Sequence, residues 1–331
     1  MTQQFQDNTA FIPEVYAKKL ARVAKEFTKF IERNCNREWE GEIRNFGDVV
    51  RIALPDPTTV AIGDAVVGDA DNDGGVGTAR VQIPELTYGA TKSKETTLTI
   101  DKAKYFSLRF TDIDTAQSQF DILNGYGAVA MQKLGDEKDK QVMVAVINAV
   151  KDITENTIGD PELPAEVDKT DIYDRVVDMQ VALQTAGYLN ADGFYSFKGN
   201  NEETEYLQAV LTVTPKIYGM MLKSSQLTHP TAAGDQVIER GKKGMMGGFE
   251  IDVNTVLTKV TEADVTGLAE GTEIAIAATK MCCTYANQIT KVEKLRDQTQ
   301  FADLIRGLEL YGFKVIHPKA ACVAFLKARQ A

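Results

Sequence analysis

Between Thr111 and Asp152 the chain runs without a proline, and apolar residues recur at Ile113, Phe120, Leu123, Ala130, Leu134, Val142, Ala145 and Ala149. A helix over the whole stretch would hold about 40 residues and reach roughly 60 Å at 1.5 Å per residue, more than a compact domain's diameter. The stretch therefore predicts a strut along an elongated subunit. Gly125, Gly127 and Gly135 are expected to bend or weaken it. ENTIGDPELPAEVD, with two prolines, ends the pattern and marks a boundary.

The segment that feeds this helix, LTIDKAKYFSLRFTDID, holds six charged side chains. Yet Leu98, Ile100, Tyr105, Phe106, Leu108, Phe110 and Ile113 predict a half-buried strand that runs straight into the helix, where a catalytic strand would end in a loop. It forms one side of a β-rich section from about Trp39 to Phe110, and EGEIRNFGDVVRIALP forms the other. Between them VAIGDAVVGDADNDGGVGTARVQIP is rich in Gly and Asp and poor in core formers, which predicts a long arm reaching outward. Asp69, Asp71, Asp73 and Gly74 match the first half of a calcium-binding EF-hand loop. The twelfth position is Arg80, not the bidentate Glu, so the three aspartates make only a weak divalent-metal set.

Near the N-terminus Pro13 opens an amphipathic pattern, with Tyr16, Leu20, Val23, Phe27 and Ile31 on one face. Lys18, Arg22, Lys25, Lys29 and Arg33 follow two positions later, about 200° around a helix, so the basic stripe lies opposite the apolar one. Such a stripe is either a solvated back face or a docking surface for an acidic neighbour or nucleic acid. The arm's Asp64, Asp69, Asp71 and Asp73 are complementary to it in charge, which makes both sets candidates for contact between subunits.

The second half alternates helix and strand, giving an α+β chain. Thr170 is placed to cap a helix with the apolar face Ile172, Val176, Met179 and Leu183. LQAVLTVTP predicts a buried strand that ends at a helix, with Thr214 as N-cap and Pro215 in the first turn. GKKGMMGGFEIDVN reads as a tight surface loop before a strand, since no helix N-terminus follows to hold an anion. Further strands are expected in EIAIAATKMCCTYANQITKVEKLRD and FADLIRGLELYGFKVIHPKAACVAFL.

Composition argues against several functions. A net charge of -10 opposes a general nucleic-acid binder, whose phosphate contacts need excess Lys and Arg. No apolar run approaches the roughly 20 residues of a membrane span, and the start lacks the features of a signal peptide. Cys35, Cys282, Cys283 and Cys322 form no CxxC and read as reduced, partly buried thiols. His229 and His317 sit in no HExxH arrangement, and nucleophile-elbow, P-loop and dinucleotide motifs are missing. No catalytic residue and no cofactor site is therefore assigned.

The order of phrases carries a resemblance. IPEVYAKKL, EGEIRNFGDVVRI, LTIDKAKYFSLRFTDID leading into the helix with Asp139, IYDRVVDMQVAL, TPKIYGMMLKS, GFEIDVN and NQITKVEKLRDQTQFADLIRGLELYGFKVIHPKA run nearly the whole chain. In this order they resemble the major capsid proteins of tailed bacteriophages, with the Hong Kong 97-like capsid fold. The resemblance implies an N-terminal arm over 1–38, an extended β loop with peripheral-domain strands over 39–110, and a peripheral-domain spine helix over 111–159. It further implies an axial domain over 160–288 and return strands of the peripheral domain over 289–331.

Function follows from the same resemblance: a coat protein that self-assembles, as pentamers and hexamers in the host cytoplasm, into the icosahedral virion capsid around double-stranded DNA. Its partners would be further copies, a portal protein, a decoration protein and DNA enclosed without sequence-specific binding; no membrane is involved. Relatives often carry a long scaffolding segment before the arm, where this chain has about a dozen residues, so a separate scaffolding protein is expected. The chain has no lysine between Lys29 and Lys92, so the arm's tip offers no amine for the Lys–Asn cross-links that some relatives form. GYLNADGFYSFKGNNEETEY departs from the family as an apparent insertion over 187–206. Two other classes compete: an encapsulin-like cellular nanocompartment shell, which shares the fold, and a soluble α+β enzyme with no recognisable active site.

Overall fold

Two sheets and one long helix organise the chain. The structure, a computed structural model, describes residues 29–38, 49–55, 93–112, 122–190, 194–198, 204–224 and 245–329. By internal contacts the chain divides into Val50–Leu98 and the rest. Val49–Pro55 (β2) pairs with Ser93–Thr99 (β3) as a two-stranded ladder, and Arg51 meets Glu95 at 3.3 Å. The Gly/Asp stretch with Asp64, Asp69, Asp71 and Asp73, and the basic Lys18, Arg22 and Lys25, lie outside the described residues.

In the other unit, Lys29–Asn34 (α1) leads into the short strand Cys35–Asn36 (β1). Lys102–Thr111 (β4), Cys283–Arg296 (β13) and Ala302–Val315 (β14) complete a four-stranded sheet in the order β1-β13-β14-β4. The strand expected over 98–114 is thus two strands, β3 and β4, and Thr111 is the last residue of β4. Phe106 and Phe110 point inward, whereas Tyr105 is 75% exposed. The sequence groups Tyr105 with the apolar residues of the strand, but alternation puts it on the face opposite Phe106.

The described part of the spine helix, Ile122–Val150 (α2), has 29 residues, about 44 Å. It ends before Asp152, and residues 113–121 lie outside the described set. Its buried side runs Met131, Leu134, Lys138, Asp139, Val142, Met143, Val146, Ile147 and Val150, a stripe at three- and four-residue spacing. Ala145 and Ala149, expected on that stripe, sit only partly buried beside it.

A seven-stranded sheet forms the centre of the second half. Its path runs Met245–Met246 (β10), Phe249–Val253 (β11), Val210–Val213 (β9), Glu273–Ala278 (β12), Ala321–Ala328 (β15) and Thr157–Ile158 (β5), with Ala165–Val167 (β6) also on β15. β15 comes from the segment expected to return to the peripheral domain, yet it pairs with strands from residues 157–278, so sheet membership does not follow the 288/289 boundary.

Alternate residues of β12 and β15 belong to two different cores. Ile274, Ile276, Val323 and Phe325 join α2 and α1, while Ala275, Ala277, Cys322 and Ala324 join Ile172–Thr185 (α3) and Pro215–Leu222 (α4). Both faces are thereby covered, and the strands read as continuous apolar runs.

Local signals explain the joints. Thr214 Oγ1 accepts from the Ile217 N–H at 3.4 Å and Pro215 opens α4, as expected. Gly247 and Gly248, at φ +55° and +74°, make the two-residue turn between β10 and β11, so that glycine-rich stretch ends as a hairpin. Ile172, Val176, Met179 and Leu183 form the buried face of α3. Thr170 is not its cap: Asp171 occupies that position, and the Asp168 carboxylate accepts from the Thr170 and Asp171 N–H groups at 2.7 and 3.2 Å. The apparent insertion contributes a hairpin, Phe194–Lys198 (β7) with Thr204–Gln208 (β8), tied down where the Lys280 N–H donates to Tyr195 Oη at 3.0 Å.

Candidate assembly elements

Residues 29–36 are the described end of the expected N-terminal arm, and they are bound from several directions. Phe30 and Ile31 are buried in the core that also holds Val142, Tyr285 and Phe325. The N–H groups of Phe30 and Ile31 donate to the two carboxylate oxygens of Asp139 at 3.2 and 3.3 Å. Asp139 thus binds, from α2, two backbone amides of α1. Burial pushes its carboxyl up to about 7, against the pull of those two N–H groups and Lys138. Asn34 Nδ2 donates to Thr212 Oγ1 at 3.3 Å, and Arg33 meets Glu250 at 2.9 Å. β1 then pairs in parallel with β13, Cys35 beside Cys283.

Of the expected basic stripe, Lys29 is exposed, and the half-exposed Arg33 pairs with Glu250 of its own chain. All four cysteines are free and buried, and burial pushes the Cys35 and Cys282 thiols up and Cys322 up to about 12, which keeps them unreactive. His317 lies against the Tyr188 ring, and burial lowers its pKa. Among the described residues no cluster of His, Cys, Asp and Glu is placed to hold a metal, and no helix is long and apolar enough to cross a membrane.

The inner face of the four-stranded sheet carries an ion pair that sequence reasoning missed. Lys138 Nζ donates to both oxygens of Glu309, at 2.7 and 2.9 Å, with the two residues only 1% and 3% exposed. Asn287 Nδ2 adds a third bond to Glu309 at 2.9 Å, and Tyr311 Oη donates to Gln141 at 2.8 Å. The signal was present in the sequence, since Lys138 lies four residues from both Leu134 and Val142 on the apolar stripe.

The outer face is different. Tyr105 sits directly across from Leu308, which is 40% exposed, and Arg306 pairs with Glu293 at 2.6 Å beside them. A groove of about 440 Å³ runs over Tyr105, Ser107, Arg306 and Leu308. At the β13–β14 turn, Asp297 accepts from the Thr299 N–H at 2.9 Å and Asp112 N–H donates to the Phe301 carbonyl at 3.0 Å. The turn is therefore held while the Phe301 ring stays 84% exposed. Arg296 binds Asp112 and Asp303 at its base, and its hydrogen bonds hold the Asp112 carboxyl below the usual range.

No protein-family model and no curated protein sequence matches the chain. Solved structures do match, over most of both chains. A cyanophage Pam1 capsid chain superposes with a TM-score of 0.61 at 11% identity, covering 90% of this chain and 89% of that one. A chain from Mycobacterium phage Che8 gives 0.59 at 22% identity, with 88% of each covered. A capsid chain of cyanophage P-SCSP1u gives 0.57 at 14% identity, covering 87% and 85%. The chain has the α+β fold of phage capsid proteins, the Hong Kong 97-like fold that the order of its sequence phrases implies.

Proposed function

We propose that this chain is the major capsid protein of a tailed phage, assembling as pentamers and hexamers into a shell around double-stranded DNA. The observation that supports it most is the length of the match: both sheets and the spine helix lie in a chain that superposes on phage capsid subunits over nearly nine-tenths of its residues. The outer sheet face supports the same reading, because exposed apolar groups on a well-held surface mark contact sites. On this proposal Tyr105, Leu308 and Phe301 pack against neighbouring copies. The Asp-bearing arm reaches a neighbour, and scaffolding and portal proteins take part in assembly in the host cytoplasm.

Expressed protein, alone and with the scaffolding protein of its genome, should give closed shells or rings of five or six by negative-stain microscopy and sedimentation. Monomers or dimers under both conditions would sink the proposal. Shells that package a host enzyme and no DNA would place it among nanocompartment shells instead.

A further inference from the structure

We propose that Lys138 and Asp139 form a two-sided clamp on the spine helix, which makes docking of the arm base and seating of the helix on the four-stranded sheet one all-or-none event. The proposal does not depend on shell formation.

Neighbouring positions on a helix point about 100° apart, so one clamp cannot serve a single partner. Lys138 reaches Glu309 on β14, and Asp139 reaches the Phe30 and Ile31 amides of α1. Lys138 and Asp139 are each 1% exposed, so water does not replace a lost partner. The two jaws share a single backbone. A slip of α2 by one residue, about 1.5 Å, or a turn of about 100°, carries both side chains off their partners together. Buried charges left unpaired are strongly unfavourable, so a half-open clamp is the least stable arrangement.

The surroundings keep the two jaws from substituting for each other. Glu309 is held by Asn287 as well as Lys138. Asp139 faces the two arm amides and the Cys35 thiol from the arm side, and Lys138 and Asp136 from its own helix. Burial holds its carboxyl pKa up even with those partners in place, so the site accepts the charge poorly and depends on every donor it has. The remaining arm-base bonds are independent of α2: Asn34 to Thr212 and Arg33 to Glu250 go to the seven-stranded sheet, and β1 pairs with β13 of the four-stranded sheet.

Hydrogen exchange of the full chain tests the coupling, using Asp139→Asn, the charge-free pair Lys138→Met/Glu309→Leu, and all three together. The paired substitution is included because swapping a buried ion pair for apolar groups of similar volume commonly preserves folding. Each should speed exchange at both the Phe30/Ile31 amides and the β14 amides around Glu309 by about tenfold or more. The triple variant should add little beyond either alone. Faster exchange at only one of the two places, or effects that multiply in the triple variant, would overturn the clamp. If Asp139→Asn fails to fold, unchanged Phe30 and Ile31 amides in the paired variant would overturn it equally, and faster exchange there would support it.

Discussion

The seven-stranded sheet is covered on both faces, and the four-stranded sheet on one. In the first, successive residues of β15 alternate between two cores and six in a row are buried. In the second, β14 alternates Ile305 in, Arg306 out, Gly307 in, Leu308 out. The covered sheet turns its two faces to cores of its own chain. The half-covered sheet keeps Tyr105, Leu308 and Leu295 outside, and its long β13–β14 hairpin carries Phe301 beyond them. One sheet is buried in two cores, and on the proposed function the other meets neighbouring copies.

Substitutions should separate the two roles. Phe325→Ala, in the middle of the doubly covered sheet, should cost about 3–5 kcal/mol in urea unfolding. A loss under about 1 kcal/mol would mean that this sheet is not the stabilising one.

The cover over that sheet includes α1, so Asp139 gives a pH test. Its folded pKa of about 7 lies above the ordinary value near 4. The folded state then holds the proton more tightly, so this group's stabilising contribution is complete below about pH 4 and is lost as pH rises through 7. Full ionisation corresponds to a loss on the order of 4 kcal/mol. Subtracting the pH profile of Asp139→Asn from that of the natural chain should reveal this fall; a flat difference would show that the carboxyl titrates normally.

Gly307 probes the inner face of the half-covered sheet. A Cβ there would run into the Phe106 ring, so Gly307→Ala should cost about 1–3 kcal/mol by overpacking. Full stability would mean that the Phe106 ring swings aside freely.

The smallest effect on folding is expected from Tyr105→Ser with Phe301→Ser, within about 0.5 kcal/mol because both rings are in solvent. On the proposed function the same pair should assemble poorly, as read by sedimentation. Normal shells from this variant would remove the outer face from the assembly surface.

Much of this organisation was readable in the residues. The apolar face of α3, the Thr214–Pro215 helix start and the glycine turn before β11 follow from local chemistry alone, and each formed where its signal lies. The face of β4 was harder, because Tyr105 and Phe106 are adjacent aromatics and only pairing with β14 decides which turns inward. Absence of proline permits a helix without requiring one, and Thr111, the expected start, belongs to β4. Thr170 lost the cap position to Asp171 because the Asp168 carboxylate organises that turn. The clamp residues were hidden for another reason. A lysine and an aspartate on an apolar stripe become intelligible only with Glu309 and the Phe30 amide, 171 and 109 residues away.

That distance along the chain has a consequence for synthesis. The arm base is made early, but its strand partner Cys283 is made late, and Glu250 and Thr212 come between. A ribosome adding about 5–20 residues per second needs on the order of ten to fifty seconds to travel from β1 to β13. For that interval the segment bearing Phe30 and Ile31 has no completed seat, and its apolar side chains are available to whatever else is nearby. A segment made long before its partners is among the last to find its place.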